Sequence, residues 1–310
     1  MHRTLAWTAA PPPELAAGAV TVGNFDGVHR GHQALVAAAR RWADRLGGPC
    51  VAVTFDPPPL ALLDPAAAKP ALTTVARRAD LLHAAGADHV VRLLTDAGLL
   101  ALGPEAFVED VLIGALAARA VVEGDNFRFG KDRAGDGELL RRLCQAHGLG
   151  FEAVTAVADD GPVSSSRVRA ALLAGDVRRA ATLLGRDYDI DGVVEAGARR
   201  GRTLGFPTAN VGGVTTLLPR DGVYAVLATV DGISHPAAAN VGPAPTFGVA
   251  VRTVEVHLLD FAGDLYDKPL SVAFVERLRD TRRFAGVEEL RAQLLTDVAM
   301  AREGLSCSTN

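Results

Sequence analysis

Short apolar runs alternate with helical patterns through the first half of the chain. Each run has the length of a strand and is apolar at successive positions, which indicates burial on both faces. Strands of this kind, each followed by a helix, are typical of a parallel sheet covered on both sides. The sequence therefore predicts a Rossmann-like α/β domain. Its predicted strands are 19–25, 50–55, 89–94, 118–124 and 151–157, and its predicted helices are 31–48, 73–86, 103–116 and 136–148.

The pattern changes after residue 185. Two helical segments within 164–185 are followed, over 187–280, by short alternating runs separated by glycine and proline. Such runs predict an antiparallel sheet or a small β-barrel. A last amphipathic pattern predicts a helix over 286–303, and the residues after it look like a frayed tail. We therefore expect two domains, residues 1–185 and 186–305.

Composition and charge narrow the function classes. The 310 residues carry 32 lysines and arginines against 36 acidic residues, a formal net charge of -4. This balance argues against broad electrostatic binding to nucleic acid, which depends on neutralising many phosphates. No apolar run approaches the ~18 residues that span a bilayer. We expect a cytoplasmic enzyme that binds neither nucleic acid nor membrane.

The three cysteines lie far apart in the sequence. Cys50, Cys144 and Cys307 form no CxxC pair, which argues against a disulfide framework or a zinc site. The chemistry must therefore be carried by other side chains.

The first candidate site is the segment GNFDGVHRGH, which follows the first predicted strand. Ligands of open α/β sheets bind where strands lead into helices, and a helix N-terminus favours phosphate. His29 and His32 lie one turn apart around Gly31, so both rings can donate hydrogen bonds to one phosphate. The segment is neither a P-loop nor a GxGxxG fingerprint. Taken alone, it also allows one histidine to cap the helix and the other to be solvated.

Three segments of the first half resemble one family in order and spacing. GNFDGVHRGHQ is similar to the HxGH-type loop of the FMN adenylyltransferase module in bacterial bifunctional riboflavin kinase/FAD synthetases. The segments 122–136 and 164–177 resemble two further motifs of that module. The resemblance implies that FMN attacks the α-phosphate of ATP, with His29 and His32 as catalytic residues. It places these residues at ATP or flavin: Gly23, Asn24, Phe25, Asp26, Gly31, Asp125, Asn126, Phe127, Ser164, Ser165, Ser166 and Arg169.

The chain departs from this family's pattern at two positions. Pro58 stands where the family usually has a histidine after the second strand, and Ser166 stands where it has a threonine. The serine keeps a hydroxyl, whereas the proline removes an imidazole. These changes leave open a paralogue whose adenylyltransferase is impaired or retargeted.

The second candidate site is the segment GARRGRTLGFPTANV, residues 197–211. Its glycines and arginines suit a loop that folds over a nucleotide. Pro207 then fixes an extended segment, on which Thr208 and Asn210 offer oxygen ligands at alternate positions. Such oxygens suit Mg²⁺, which takes its remaining ligands from water and phosphate. A turn rich in glycine and proline is the alternative interpretation of this segment.

The same segment resembles the riboflavin kinase signature, and similar pieces follow in the family's order up to Tyr266. The resemblance covers roughly residues 18 to 303. It implies that Glu255 is the general base for the ribityl hydroxyl of riboflavin, and that Thr208 and Asn210 hold Mg²⁺. The ATP- and flavin-binding residues that it implies are Gly197, Gly201, Arg202, Gly205, Pro207, Thr208, Asn210 and Asn240.

The sequence thus predicts a bifunctional enzyme of FAD synthesis. Its barrel phosphorylates riboflavin to FMN, and its α/β domain adenylylates FMN to FAD and releases pyrophosphate, with ATP and Mg²⁺ as partners in the chemistry. A non-catalytic flavin-binding protein is an alternative from another class. The sequence does not decide whether the chain forms a homo-oligomer.

Overall fold

The computed structural model describes residues 2–196, 205–246 and 249–306. It divides into two compact units, Met1–Ser164 and Ser165–Asn310. Among the described helices, none is both long and apolar enough to cross a bilayer.

The first unit is built on a six-stranded sheet whose strands all run parallel. In spatial order the sheet reads β1-β4-β3-β2-β5-β8. The five strands predicted from the sequence are present, and the parallel sheet is confirmed. The strands are β1 (His2–Leu5), β2 (Ala19–Val22), β3 (Cys50–Asp56), β4 (His89–Leu94), β5 (Ala120–Gly124) and β8 (Gly150–Val154), with a separate two-stranded pair, β6 (Arg128–Phe129) and β7 (Gly135–Asp136).

Helices cover both faces of this sheet, and their ends follow capping chemistry. Gly47 ends the first helix with φ of 65°, and Thr74 and Asp136 cap the helices that follow them. The helix predicted over 103–116 is mostly a π-helix. The helices are α1 (Arg30–Leu46), α2 (Pro59–Leu63), α3 (Val75–Ala84), α4 (Ala97–Ala101), α5 (Pro104–Ala106, continued by the π-helix Phe107–Ala115) and α6 (Gly137–Ala146).

Alternate strand residues pack into two separate cores. Val20 and Val22 face one core, whereas Ala19 on the same strand faces the other with Val36 of α1. This alternation is the expected consequence of the two-residue period of a strand. It explains why the strands are apolar at successive positions.

The sequence placed the end of the first predicted strand wrongly and missed one strand altogether. The first strand ends at Val22, three residues earlier than predicted, and Phe25 lies in the following loop with φ of 46°. The strand β1, which no pattern indicated, pairs with β4 at the sheet edge. Its sequence, HRTL, has only one large apolar residue, so hydrophobic periodicity could not indicate it.

The second unit begins with two helices and continues as a closed antiparallel barrel of six strands. The barrel predicted from the alternating runs is confirmed. Its helices are α7 (Ser165–Ala174) and α8 (Val177–Leu184), and its strands are β9 (Tyr188–Glu195), β10 (Ala209–Gly212), β11 (Gly222–Val230), β12 (Ile233–Thr246), β13 (Val249–Leu258) and β14 (Pro269–Arg279).

The C-terminal helix α9 (Val287–Ser306) packs on the outside of the barrel. Its Ala301 and Leu305 form a small core with Ala225 of β11 and Val275 of β14. The helix continues to Ser306, so Gly304 and the two residues after it are helical rather than frayed. The domain boundary predicted at residue 185 stays a prediction.

Candidate functional site

The two histidines of the first motif lie together at the start of α1. Their rings are stacked, with centroids 3.6 Å apart and an interplanar angle of 17°. His29 is the N-cap of the helix, and its Nδ1 accepts a hydrogen bond from the backbone N–H of His32 at 3.3 Å. The alternative in which one histidine caps the helix is therefore correct for His29. Capping does not remove it from the site, because the other histidine lies directly against it.

Gly31 makes room for this stack. A β-carbon at residue 31 would lie 3.1 Å from Cε1 and 3.2 Å from Nδ1 of His29. The HxGH spacing therefore has a steric reason, since a larger residue would displace the ring that caps the helix.

We expect Gly31→Ala to lower kcat of the reaction at this site about tenfold, because displacement of a reacting group by less than an ångström is costly. Steady-state kinetics of the N-terminal reaction would measure the effect. Gly137→Ala is the matched control, since Gly137 also lies in a first helical turn but its nearest contact for a β-carbon is at 3.8 Å. Equal kcat in the two variants would contradict the steric role of Gly31.

Burial keeps both imidazoles neutral. It lowers the pKa of His29 to about 4, although the nearby Asp26 carboxylate acts in the opposite direction. Burial also holds the pKa of His32 well below its ordinary value, and His29 and Arg78 lower it further. Both rings are therefore uncharged hydrogen-bonding groups near neutral pH.

Asp26 anchors the loop that leads to the histidines. Its carboxylate accepts hydrogen bonds from the backbone N–H of Leu72 at 2.9 Å and of Thr73 at 3.2 Å, and it pairs with Arg78 at 3.4 Å. Arg78 is 4% exposed, and its guanidinium also donates to Thr54 Oγ1. Asp26, which was predicted to bind ATP or flavin, thus stabilises the loop through these contacts.

Phe25 is fully buried, and its ring meets the His32 ring edge to face with centroids 5.2 Å apart. It therefore orients His32 and presents no accessible surface to a ligand. Phe25 and Val28 have φ of 46° and 41°, which is a strained conformation for residues other than glycine. Strain of this kind persists where the surroundings hold the chain, and it is common at functional sites.

The other predicted residues of the first unit lie at the ends of neighbouring strands. Gly23 and the exposed Asn24 follow β2, and the exposed Asp125 and Asn126 follow β5. These two strands are adjacent in the sheet, so both loops leave the same edge. Phe127, by contrast, is stacked on Phe129 and packs against the core.

Both positions at which the chain departs from the family pattern, Pro58 and Ser166, lie at helix starts. Pro58 is the N-cap residue of α2, directly before Pro59 at its first position. Ser164 ends the first unit, and Ser165, Ser166 and Arg169 lie in α7 of the second unit.

In the barrel, three of the predicted residues form one row across adjacent strands. Asn210 of β10 pairs with Glu255 of β13, and Glu255 pairs with Asn240 of β12. Directly opposed residues point to the same side of a sheet. Since Val254 and Val256 are buried in the barrel, the half-buried Glu255 points outward.

Glu255 and Asn240 line a cavity of about 650 Å³ beside α9. Thr208 lines this cavity and also a second one of about 510 Å³, whereas Asn210 lines neither. The smaller cavity is bounded by Pro207 and by the loop that contains Tyr266. Thr208 therefore lies in the wall of both cavities.

Three residues of the larger cavity were missed from the sequence. His257 holds the predicted metal-binding segment, because its Nδ1 lies 2.8 Å from the Pro207 carbonyl oxygen and its ring meets Phe206. Arg279 forms two hydrogen bonds, of 2.8 and 2.6 Å, with the buried carboxylate of Asp297. His257 could have been found, since it is two residues from Glu255 on one strand. The Arg279–Asp297 pair joins β14 to α9, so no short sequence pattern could indicate it.

Of the predicted binding residues, Gly197, Gly201 and Arg202 lie outside the described residues. Gly205 is described and has φ of 84°, a left-handed conformation that favours glycine.

Comparison with known proteins agrees with this two-part arrangement. The FAD synthetase family model matches residues 12–167, and the riboflavin kinase family model matches residues 184–305. The bifunctional riboflavin kinase/FMN adenylyltransferase of Pseudomonas fluorescens is 44% identical over 94% of each chain. The chain belongs to the bifunctional riboflavin kinase/FMN adenylyltransferase family.

Two further relatives span nearly the whole chain. The bifunctional riboflavin kinase/FMN adenylyltransferase of Escherichia coli (strain K12) is 37% identical over 92% of this chain and 91% of its own. A crystal structure from Streptococcus pneumoniae, described as that of a macrolide-efflux protein, has a TM-score of 0.88 and 31% identity, and the match covers 96% of this chain and 98% of that one.

Family membership confirms the enzyme activities predicted from the sequence. The FMN adenylyltransferase activity belongs to the N-terminal half and the riboflavin kinase activity to the C-terminal half. Neither the impaired or retargeted paralogue nor the non-catalytic flavin-binding protein is favoured.

Proposed function

We propose that His29 and His32 stabilise the α-phosphate of ATP while an oxygen of the FMN phosphate attacks it and pyrophosphate leaves. The observation that supports this proposal is the stack of two neutral imidazoles at a helix N-terminus, above the carboxyl end of β2. Hydrogen-bond donors fixed in place before the reaction stabilise the charge that develops on phosphate oxygens. The N-terminal end of the helix dipole is also favourable for the same anion.

The tautomer of His29 follows from its hydrogen bond. Since Nδ1 accepts the N–H of His32, a neutral His29 ring carries its proton on Nε2. That nitrogen is then a donor to phosphate without any net charge on the ring. His29 can therefore act over the whole neutral pH range.

We expect the His29 ring to titrate with a midpoint of about 4 in the ligand-free protein. Burial disfavours the charged ring, so the ring stays neutral as the pH falls from 7 to about 5, where an exposed histidine is already charged. NMR of the imidazole nitrogens would measure the midpoint, with His29→Asn used to assign the signal. A midpoint near the ordinary histidine value would contradict the neutral-donor role.

For the C-terminal reaction, we propose that Glu255 is the general base. Its carboxylate would take the proton of the ribityl 5′-hydroxyl of riboflavin as that oxygen attacks the γ-phosphorus of ATP, and the bond to the β-phosphate oxygen breaks to release ADP. The cavity of about 650 Å³, with Phe284 and aliphatic residues of α9 in its wall, suits the flavin ring. The adjoining cavity of about 510 Å³ would take the nucleotide, and Thr208 lies where the two spaces meet.

Thr208 and Asn210 would hold Mg²⁺ in this arrangement. Hydroxyl and amide oxygens suit the ion, and their alternate positions place both on one side of the extended segment. When bound, Mg²⁺ neutralises charge on the ATP phosphates. The residues Gly205, Pro207 and Asn240 would complete the site around flavin and ATP.

The remaining assignments follow the family pattern. Asn24, Asp125, Asn126, Ser164–Ser166 and Arg169 would contact FMN or ATP, the guanidinium of Arg169 by paired hydrogen bonds to phosphate. We propose a cytoplasmic location, where both ATP and flavins are available.

A product assay with each flavin substrate tests the proposed chemistry in both halves. Riboflavin with ATP and Mg²⁺ should yield FMN and then FAD, and FMN offered directly should yield FAD, as resolved by chromatography. Removal of Mg²⁺ with a chelator should stop FMN formation, and re-addition should restore it. FMN formation at full rate in the chelator would contradict the metal role of Thr208 and Asn210.

A further inference from the structure

The sheet of the N-terminal unit opens between two adjacent strands. β2 and β5 pair only at Ala19–Ala120 and Val20–Val121. Beyond that point each strand stays with its other neighbour. Gly23 donates its N–H to Val53 of β3 at 2.9 Å, and Asp125 donates to Val154 of β8 at 3.1 Å.

This opening is the topological switch point of the sheet. The chain proceeds from β2 to β3 and β4 on one side, and β5 and β8 lie on the other. Crevices of this kind are where open α/β sheets bind ligands. The loop to the two histidines leaves from the β2 side, and the loop that begins at Gly124 leaves from the β5 side.

One buried carboxyl bridges the floor of the crevice. Glu123, the residue before Gly124, is 1% exposed, and its Oε1 accepts the backbone N–H of Val22 at 2.6 Å. Continued from Val20–Val121, the strand register makes Val22 and Glu123 neighbours. The side chain therefore takes the N–H that a continued ladder would have paired with backbone.

We propose that Glu123 is a positioning residue for adenylyl transfer, whose carboxyl sets the spacing between the loop carrying His29 and the loop beginning at Gly124. The inference rests on the proposed role of the two histidines. A buried N–H without an acceptor is costly, so loss of the carboxyl would let the carboxyl end of β2 move toward another partner. The histidines follow Val22 by seven and ten residues on a loop that Asp26 and Arg78 anchor at its other side.

Burial disfavours a charge on this carboxyl. Burial raises the pKa of Glu123 well above its ordinary value, although the Val22 hydrogen bond opposes this shift. Glutamine keeps the acceptor oxygen and has no charge, so Glu123→Gln should preserve the role of this side chain. Glu123→Leu should not.

The test compares Glu123→Leu, Glu123→Gln and Val121→Ala in the full chain, with His29→Asn assayed alongside. For Glu123→Leu we expect kcat of FMN adenylylation to fall at least about tenfold, as misplaced catalytic groups require, with a smaller change in the two KM values. Glu123→Gln should stay within about threefold of wild type, since its amide oxygen still accepts the Val22 N–H. Val121→Ala, a core change on the same strand and face, should lower stability and leave kcat near wild type. Riboflavin phosphorylation in the same molecules measures whether each preparation is intact.

Two results would overturn the inference. One is wild-type kcat in Glu123→Leu, and the other is a loss of kcat in Glu123→Gln as large as that in Glu123→Leu. If the leucine variant does not fold, Glu123→Gln decides: retained kcat with slow hydrogen exchange at the Val22 amide supports the proposal, and a tenfold loss contradicts it. Full adenylylation by His29→Asn would instead refute the histidine assignment.

Discussion

His29→Asn is expected to lower the rate of FMN adenylylation about 100- to 1,000-fold, the usual cost of removing one donor to a developing anion. Asparagine is a good N-cap residue, so the start of α1 should remain formed. The variant therefore separates the cap from the imidazole, both of which His29 provides. Rates of FAD formation from FMN and ATP would give the loss.

Riboflavin phosphorylation is the internal control for this variant. It takes place in the C-terminal half and should keep its wild-type rate in the same preparation. His32→Ala should give a comparable loss of adenylylation, since the second ring of the stack is then missing. If His29→Asn forms FAD at the wild-type rate, the imidazole has no part in the chemistry.

Glu255→Gln should have the opposite effect and lower riboflavin phosphorylation about 100- to 10,000-fold, the range that a general base contributes. Glutamine keeps the size and the hydrogen-bonding oxygen of the side chain but cannot accept the hydroxyl proton. The row formed by Asn210, Glu255 and Asn240 should therefore survive the substitution. FMN formation from riboflavin would measure the loss.

The matched control is Glu276→Gln on β14. This residue is also a half-buried glutamate of a barrel strand, but it pairs with Arg178 and does not line the cavity. It should keep both activities, and Glu255→Gln should keep FAD formation from added FMN. Equal loss of phosphorylation in the two variants would assign the effect to the barrel's stability instead of the base.

Much of the architecture was accessible from local patterns. The strands of the first unit could be recognised because successive residues are buried in two cores, which makes each strand apolar throughout. The helix ends at Gly47 and Thr74 follow from backbone conformation and capping, which depend on neighbouring residues only. β1 was missed because an edge strand of four residues buries too little to leave a pattern.

The candidate site, like the fold, was predicted only in part from the sequence. The sequence placed His29 and His32 three residues apart at the start of a helix, which indicated that their rings could lie together. It did not indicate that Phe25 is buried against His32, or that Asp26 is engaged by the loop before α3. Those contacts join segments far apart in the chain, so their geometry depends on how the elements pack.

The sequence by itself determined the two-part fold, the family and the motif residues, because periodicity, capping and motif spacing are properties of short segments. Only the tertiary structure decided which residues meet. It aligned Asn210, Glu255 and Asn240 through the register of three strands, and it placed Glu123 across the crevice from Val22. Strand register and the point where two strands part are set by packing across the whole sheet, and no local pattern records them.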